Sequence, residues 1–430
     1  MFERLFKLSE HGTNIKTEVV AGITTFLTMS YIVIVNPNIL STTGMDHGAI
    51  FVATCLAAVI GTLVMALVAN WPIGMAPGMG LNAFFAFTVV AALGYSWQQA
   101  LGAVFISGVI FLFLTATGIR SWLIAGIPKS LRSAIAAGIG LFLAIIALIN
   151  AGIVVEHPAT KIGIGDLTQP ATLFAILGFF IITVLDALKL RGAILIGILT
   201  VTVIATATGY NEYQGVFSLP PSLAPTFMQL DIMGALHMGL AHVILVLVLV
   251  EVFDATGTML GVAKRAGLIT DQSSGRLGRA LFADSSAIIA GSVIGTSSTT
   301  AYVESASGVQ AGGRTGLTAL TIAACFLLAL FFAPLAKMVP AYATAPSLLY
   351  VAGLMLREMT GIDWNDVTES APAALTALAM PFTYSIANGL AFGFISYVVI
   401  KISTGKIRTL HPATVLVAAL FIIKYTFFPD

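Results

Sequence analysis

Of 430 residues, 58% are hydrophobic and only 9% carry charge, with a mean hydropathy of +0.99. Soluble domains carry about 25% charged residues, and a core built from a chain this long cannot hide so much apolar surface, so composition excludes a soluble protein. The net charge of +1 offers no basic patch for nucleic acid, and the continuous rather than alternating apolar runs exclude a β-barrel. The sequence therefore predicts an all-α polytopic protein whose first partner is the lipid bilayer.

The first stretch, MFERLFKLSEHGTNIKTEVVAG, is polar and amphipathic and lacks the cleavage site of a removable signal peptide. Phe2, Leu5, Phe6 and Leu8 fit a short helix lying on the membrane surface. Apolar segments follow at 18–35, 49–69, 73–92, 99–118, 132–150, 170–188, 192–208, 237–262, 280–295, 297–311, 315–336, 341–356, 371–385 and 387–402. A span of the ~30 Å apolar core takes ~20 helical residues, so these are fourteen expected segments, and a fifteenth, 411–428, has no assigned place. Cys55 and Cys325 lie inside apolar runs and read as buried small side chains.

With the N-terminus in the cytoplasm and sides alternating, only Lys161, Lys337 and Lys424 of the 20 Lys and Arg residues fall outside. That is the positive-inside bias of a correct topology. The loop around Glu212 is then external and the loop around Gly275 internal.

Three segments break the pattern. The third, led by WPIGMAPGMGLNAFFAFTVV, holds prolines and glycines before its helical part. The ninth and tenth read as short, and the tenth, GTSSTTAYVESASGVQAGG, is polar and glycine-rich. Irregular backbone at membrane depth is tolerated where it is buried in protein or lines a cavity. Shifted by seven segments, the third matches the tenth and the first matches the eighth. An odd number of spans per repeat inverts the second half, and paired interrupted segments in inverted halves point to a transporter site.

The eighth segment carries Glu251, Asp254 and Thr258 on one helical face. A carboxylate at the bilayer centre costs roughly 2.5–3.5 kcal/mol on insertion scales, which makes a functional reading the default. To these the first segment adds Thr28, the third Asn82 and Phe84, the ninth Asp284, and the tenth Thr300 and Glu304. Each has a plainer reading: an inter-helix hydrogen bond for Asn82 and Thr28, a helix cap for Asp284 beside Ser285 and Ser286. Together they suit a small, flat, polar, uncharged ligand, with carboxylates accepting from ring N–H groups and phenylalanines covering a ring face. A buried carboxyl group can also take and release a proton. His237 and His242 have no clustered partners, so no metal site is expected. The run from Gly308 to Thr315 nearly fits a phosphate loop but has Arg314 where lysine belongs, and it reads as a tight turn.

MSYIVIVNPNIL, APGMGLNAFFAF, VFDATGTMLGVAKRAGL and GTSSTTAYVESASGVQAGGRTGLTA resemble the signature stretches of the AzgA-like purine permeases, a branch of the nucleobase–cation symporter-2 family. The likeness runs in order over essentially the whole chain. It implies a seven-plus-seven inverted repeat of fourteen segments, two of them interrupted by short strands. It implies a core built from residues 1–120 and 235–338 (segments 1–4 and 8–11) and a gate built from 121–210 and 339–430 (segments 5–7 and 12–14 with the terminal segment). It implies further that Glu251 and Glu304 bind the base, that Asp254 and Asn82 matter, that coupling is to protons with no cofactor, and that relatives form homodimers.

The expected function is thus import of adenine, guanine or hypoxanthine by proton symport across a bacterial inner membrane. The substrate-binding set is Glu251, Glu304, Asn82, Phe84, Thr28 and Thr300. Glu251, Asp254, Asp284 and Thr258 are the coupling or supporting set. Glu304 is expected to accept from the ring N–H and Glu251 to carry the proton. The alternatives are a carrier of uracil, xanthine or a small anion, or a channel. An intramembrane enzyme is not expected, because no nucleophile–base pair stands out.

Overall fold

The computed structural model describes residues 2–236, 241–268 and 274–427. The described residues are mainly helical, with four short strands among them. The first segment is two helices, α1 (Ile15–Met29) and α2 (Ile32–Leu40), bent at Ser30 and Tyr31. Helix α3 (His47–Val64) widens into π-helical turns at Met65–Ala69. Strand β1 (Met75–Pro77), helix α4 (Met79–Ala83) and a π-helical stretch Phe84–Ala92 make up the third segment. Then come α5 (Trp97–Ala116), the short α6 (Ile119–Gly126) and α7 (Lys129–Asn150). A hairpin of β2 (Val154–His157) and β3 (Lys161–Ile164) leads to α8 (Pro170–Ala187) and α9 (Ala193–Ala207).

The second half begins with α10 (Ala241–Arg265) and α11 (Ser274–Ile294). Strand β4 (Thr299–Ala301) and α12 (Ser305–Gln310) form the tenth segment, followed by α13 (Gly316–Ala329). Last are α14 (Ala341–Leu356), α15 (Val367–Phe382), α16 (Ile386–Ser403) and α17 (Pro412–Phe427).

Among the described residues, nine helices are long and apolar enough to cross a bilayer. The other apolar segments appear as shorter pieces, such as Met79–Ala92, Ala193–Ala207 and Pro412–Thr426. A 16-residue helix such as α14 or α15 is only ~24 Å long at 1.5 Å per residue. Two expectations are corrected here. The ninth segment is not short: α11 has 21 residues and starts at Ser274. Asp284 therefore sits in mid-helix rather than at an N-terminal cap. The fifteenth segment is a helix that packs on α16 and α6, and Thr414 donates to the Gly126 carbonyl at its foot (2.7 Å).

Packing partners fall into two sets. Helix α13 packs on α1 and α3, and α11 on α3 and α5; α7 packs on α14 and α15, α14 on α8, and α15 on α16. Inside the first set, one buried carboxylate ties distant segments together. Glu18 on α1 accepts from the backbone N–H of Arg314, Thr315 and Thr318 (2.8, 3.2 and 3.1 Å) and from the hydroxyls of Thr315 and Thr318 (2.8 and 2.6 Å). The first N–H groups of a helix have no partner within it, so Glu18 caps α13 from another helix. The turn ahead of it is no phosphate loop: the Arg314 guanidinium donates to the carbonyls of Val309 and Gly313 (both 2.7 Å) and so closes the C-terminal end of α12.

Candidate functional site

Two interrupted segments meet at the centre of the site. β1 and β4 pair antiparallel, with Met75 opposite Ala301, Ala76 opposite Thr300 and Pro77 opposite Thr299. The ladder continues at both ends: Gly78 N–H donates to the Ser298 carbonyl (2.9 Å), and Tyr302 N–H to the Gly74 carbonyl (3.0 Å). Tyr302 also reaches across to donate its hydroxyl to the Pro77 carbonyl (2.6 Å). Unpaired backbone in a membrane costs several kcal/mol per group, so each broken segment supplies the partners the other lacks. The sequence forces this arrangement locally, because Pro72, Pro77 and the run of serines and threonines before Glu304 disfavour a continuous helix.

Around this crossing the structure gathers a first group of the expected residues. Glu251 on α10 is fully buried and accepts at Oε1 from Ser298 (2.7 Å) and from Ser107 on α5 (3.4 Å). Asn82 on α4 is also fully buried, and its Oδ1 accepts from Ser297. Thr300 lies beside Gly78, whose missing Cβ leaves its methyl the room it occupies. Among the described residues, Glu251 Oε2, Asn82 Nδ2 and Thr300 Oγ1 are buried without a hydrogen-bond partner. Buried polar atoms are normally paired, and each orphan calls for an explanation such as a ligand or water. Phe84, 1% exposed, follows directly on α4.

A second group forms where α12 meets α1. Tyr31 donates its hydroxyl to Glu304 Oε1 (2.7 Å), and Thr28 and Ser307 share a hydrogen bond (3.0 Å). Glu304 is partly exposed, unlike Glu251, and stands immediately before α12. Asp284 belongs to neither group. It pairs with Arg120 (3.2 Å), both side chains being at most 1% exposed, and the guanidinium lies 4.0 Å from the centre of the Phe111 ring. The side chain of Asp254 and the whole of His237 lie outside the described residues. Thr258 is half-buried on α10.

Residues 16–392 match the model of a family described as the Permease family. The chain is 50% identical over 428 residues to the adenine permease AdeP of Escherichia coli (strain K12), covering 99% of this chain and 96% of that one. The chain belongs to the purine permeases of the nucleobase–cation symporter-2 family. This purine permease is also 44% identical over 428 residues to the guanine/hypoxanthine permease PbuO of Bacillus subtilis (strain 168), with 98% of this chain and 99% of that one covered. Its fold resembles the solved transmembrane domain of the cyanobacterial bicarbonate transporter BicA, with a TM-score of 0.61, 16% identity and coverage of 95% and 97%. The family resemblance read from the motifs therefore holds, and the permease shares its fold with a solved anion transporter.

Several residues that organise the permease's site escaped sequence reading. Ser107, Ser298 and Tyr31 are short-range partners of the two glutamates; Tyr31 and Ser298 lie inside the quoted motifs, which was the available signal, while Ser107 lies outside them and carried none. Arg120 reads in the sequence as a loop anchor, and its burial is set by tertiary packing.

Proposed function

We propose that this chain imports purine nucleobases by proton symport, moving the base past the β1–β4 crossing by alternating access. The observation that carries the reading is the set of orphaned buried atoms on Glu251, Asn82 and Thr300 where two broken segments meet. A base presents both ring N–H donors and ring acceptors. It can accept a hydrogen bond at one ring nitrogen from the asparagine amide and at another from Glu251 in its protonated form, which no apolar ligand does. The names of the relatives make adenine, guanine and hypoxanthine the bases to test, against uracil, xanthine and small anions as the alternatives on the same fold.

In this reading the set built on α1, α3, α5, α11 and α13 is the substrate-carrying core, and the set built on α7, α8 and α14–α16 is the gate. The two broken segments sit in matching places of an inverted repeat of fourteen segments, and their antiparallel pairing is what a two-fold axis in the membrane plane would produce. The N-terminus is cytoplasmic in a bacterial inner membrane, and association into homodimers is part of the same proposal. A continuous channel would not need orphaned acids held between broken helices, which favours the carrier.

The test is accumulation of labelled adenine, guanine and hypoxanthine in cells lacking other purine uptake, with and without a protonophore, and with unlabelled competitors. Uphill accumulation that the protonophore abolishes is expected. Accumulation following a sodium gradient at fixed pH would overturn the coupling, and downhill flux alone would favour the channel. For orientation, a cysteine at Glu212 should react with an external reagent and one at Lys406 should not; the reverse pattern would invert the topology.

A further inference from the structure

The two half-helices that leave the strand crossing stand in unequal surroundings. Helix α4, on the outer side in the orientation proposed above, is buried at every residue from Met79 to Ala83 and packs on α7 of the gate. Helix α12, on the inner side, packs on α1 and α10, both of the core. There Glu304, Ser307 and the Thr28 bonded to Ser307 are partly exposed, and Val303 is exposed. A carboxylate turned to lipid is costly, so the exposed side of Glu304 meets water. The gate touches the core on this side too, where Arg191 donates to Thr24 (3.0 Å), one turn of α1 before Thr28. The core thus stands with its outer side shut and its inner side open.

The outer contact has one very close point. A Cβ on Gly80 would stand 2.6 Å from Ile139 Cγ2 but 3.9 Å from Ile139 Cβ. Neighbours on α7 fix which way Ile139 points. Gly138 lies against Ala377 and Met380 of α15, and Gly140 against Ala352 and Met355 of α14, which leaves Ile139 between them to face the core. A β-branched side chain in a helix keeps essentially one χ1 rotamer, so the Cγ2 methyl does not swing aside. Core and gate approach to this distance because residue 80 has no side chain.

We infer that Gly80 and Ile139 form the outer seal of the permease, and that side-chain volume across this pair sets the balance between its inward-open and outward-open states. The inference rests on the proposed alternating access. A larger residue at position 80 penalises the state in which the outer side is shut and not the one in which it is open, so the population moves outward. Inside the core the same kind of clash acts differently. A Cβ on Gly108 of α5 would stand 2.9 Å from Ile288 Cγ2 of α11. Both residues travel with the core, so that clash lowers stability without choosing a state.

The test uses the full-length protein in intact cells, with Cys55→Ala, Cys325→Ala and Ile146→Cys as the parent. Ile146 is 1% exposed and follows Ile139 by seven residues, on the same face of α7 and nearer its outer end. The readout is its rate of modification by an impermeant methanethiosulfonate added outside. Gly80→Ala should raise that rate roughly fivefold or more. Ile139→Ala, which leaves a gap in place of a clash, should raise it less. Gly80→Ala with Ile139→Ala moves the methyl from one side of the contact to the other and should return the rate to within about twofold of the parent, a non-additivity expected of residues in contact. Gly108→Ala should lower the melting temperature in detergent and leave the rate as it was. A parental rate in Gly80→Ala, or a double variant that labels faster than Ile139→Ala alone, would overturn the seal; the second comparison holds even where Gly80→Ala by itself does not fold. The expected labelling pattern in a parent that accumulates no purine would overturn the transport reading and leave the seal standing.

Discussion

Tyr31 donates its hydroxyl to Glu304 Oε1 at 2.7 Å, joining the bend of the first segment to the break of the tenth. The first segment thereby senses what happens at Glu304: a base that takes this oxygen must share it with, or displace, the tyrosine. Among the described residues Glu251 takes no such partner from α1; those it has are the serines of α5 and of the β4 approach.

The two glutamates should therefore fail differently. Glu304→Gln replaces an acceptor oxygen with an NH₂ that faces both Tyr31 and a ring N–H. Binding should fall by roughly 1–3 kcal/mol, about 5- to 150-fold, as expected for a mispaired polar group in the site. Tyr31→Phe should raise KM by a smaller factor. Glu251→Gln keeps an oxygen for Ser298 and imitates the protonated acid, so it should bind purine but not accumulate it. Equilibrium binding and driven uptake on the three variants decide the matter; parental binding by Glu304→Gln, or uphill transport by Glu251→Gln, would contradict these roles.

Arg120 and Asp284 should behave as a structural pair. Removing one partner of a buried ion pair costs about 3–5 kcal/mol, while replacing both with apolar groups is often neutral. Arg120→Met alone should sharply lower the yield of folded protein, and Arg120→Met with Asp284→Leu should recover it together with purine binding. Loss of coupling in the recovered double variant would restore Asp284 to the proton-handling set.

Gly308 is required by packing. A Cβ there would fall on Thr25 Oγ1 and come within 2.7 Å of the Ala21 carbonyl. Gly308→Ala should cost about 1–3 kcal/mol as an overpacked contact, seen as a lower melting temperature in detergent. Gly353→Ala is the control: nothing lies within 4 Å of its Cβ position, and alanine in a helix interior is favoured by roughly 0.5–1 kcal/mol. Equal melting shifts for both would remove the packing explanation.

Asp366 caps α15 and pairs with Lys406 at 2.8 Å. The Lys406 ammonium, then the Thr368 hydroxyl and backbone N–H, hold its carboxyl well below the usual carboxylate range. A carboxyl depressed in the folded state contributes stability that is complete above its unfolded value and is lost as pH falls through the folded one. The melting difference between the parent and Lys406→Gln should be flat from pH 5 to 8 and shrink only in stronger acid. A difference that instead fades between pH 6 and 8 would assign it to another group.

Composition and motif order made the membrane class and the family legible, and Pro77, Gly78 and the Thr-rich run before Glu304 marked both broken segments. Those signals are local: a proline or a serine run disfavours helix wherever the chain goes. What stayed hidden was pairing across distance. Nothing near Glu18 announces that it will cap α13, and Asp284 beside two serines looks like a cap until Arg120 arrives from another helix. Segment lengths erred for a related reason: the polar start of α11, Ser274–Arg279, is helical because of its neighbours, and hydropathy alone trims it away.

The β1–β4 pairing also sets an order of events. Pro77 waits for Thr299, and at ~5–20 residues per second of synthesis roughly 11–45 s pass between them. Throughout that interval the amides of β1 have no strand to meet, inside a solvent that offers them no water. The centre of the site therefore cannot form until the tenth segment has been made, long after the third. Until the second half has been made, the first must be held by the insertion machinery or rest with its broken segment near the membrane surface.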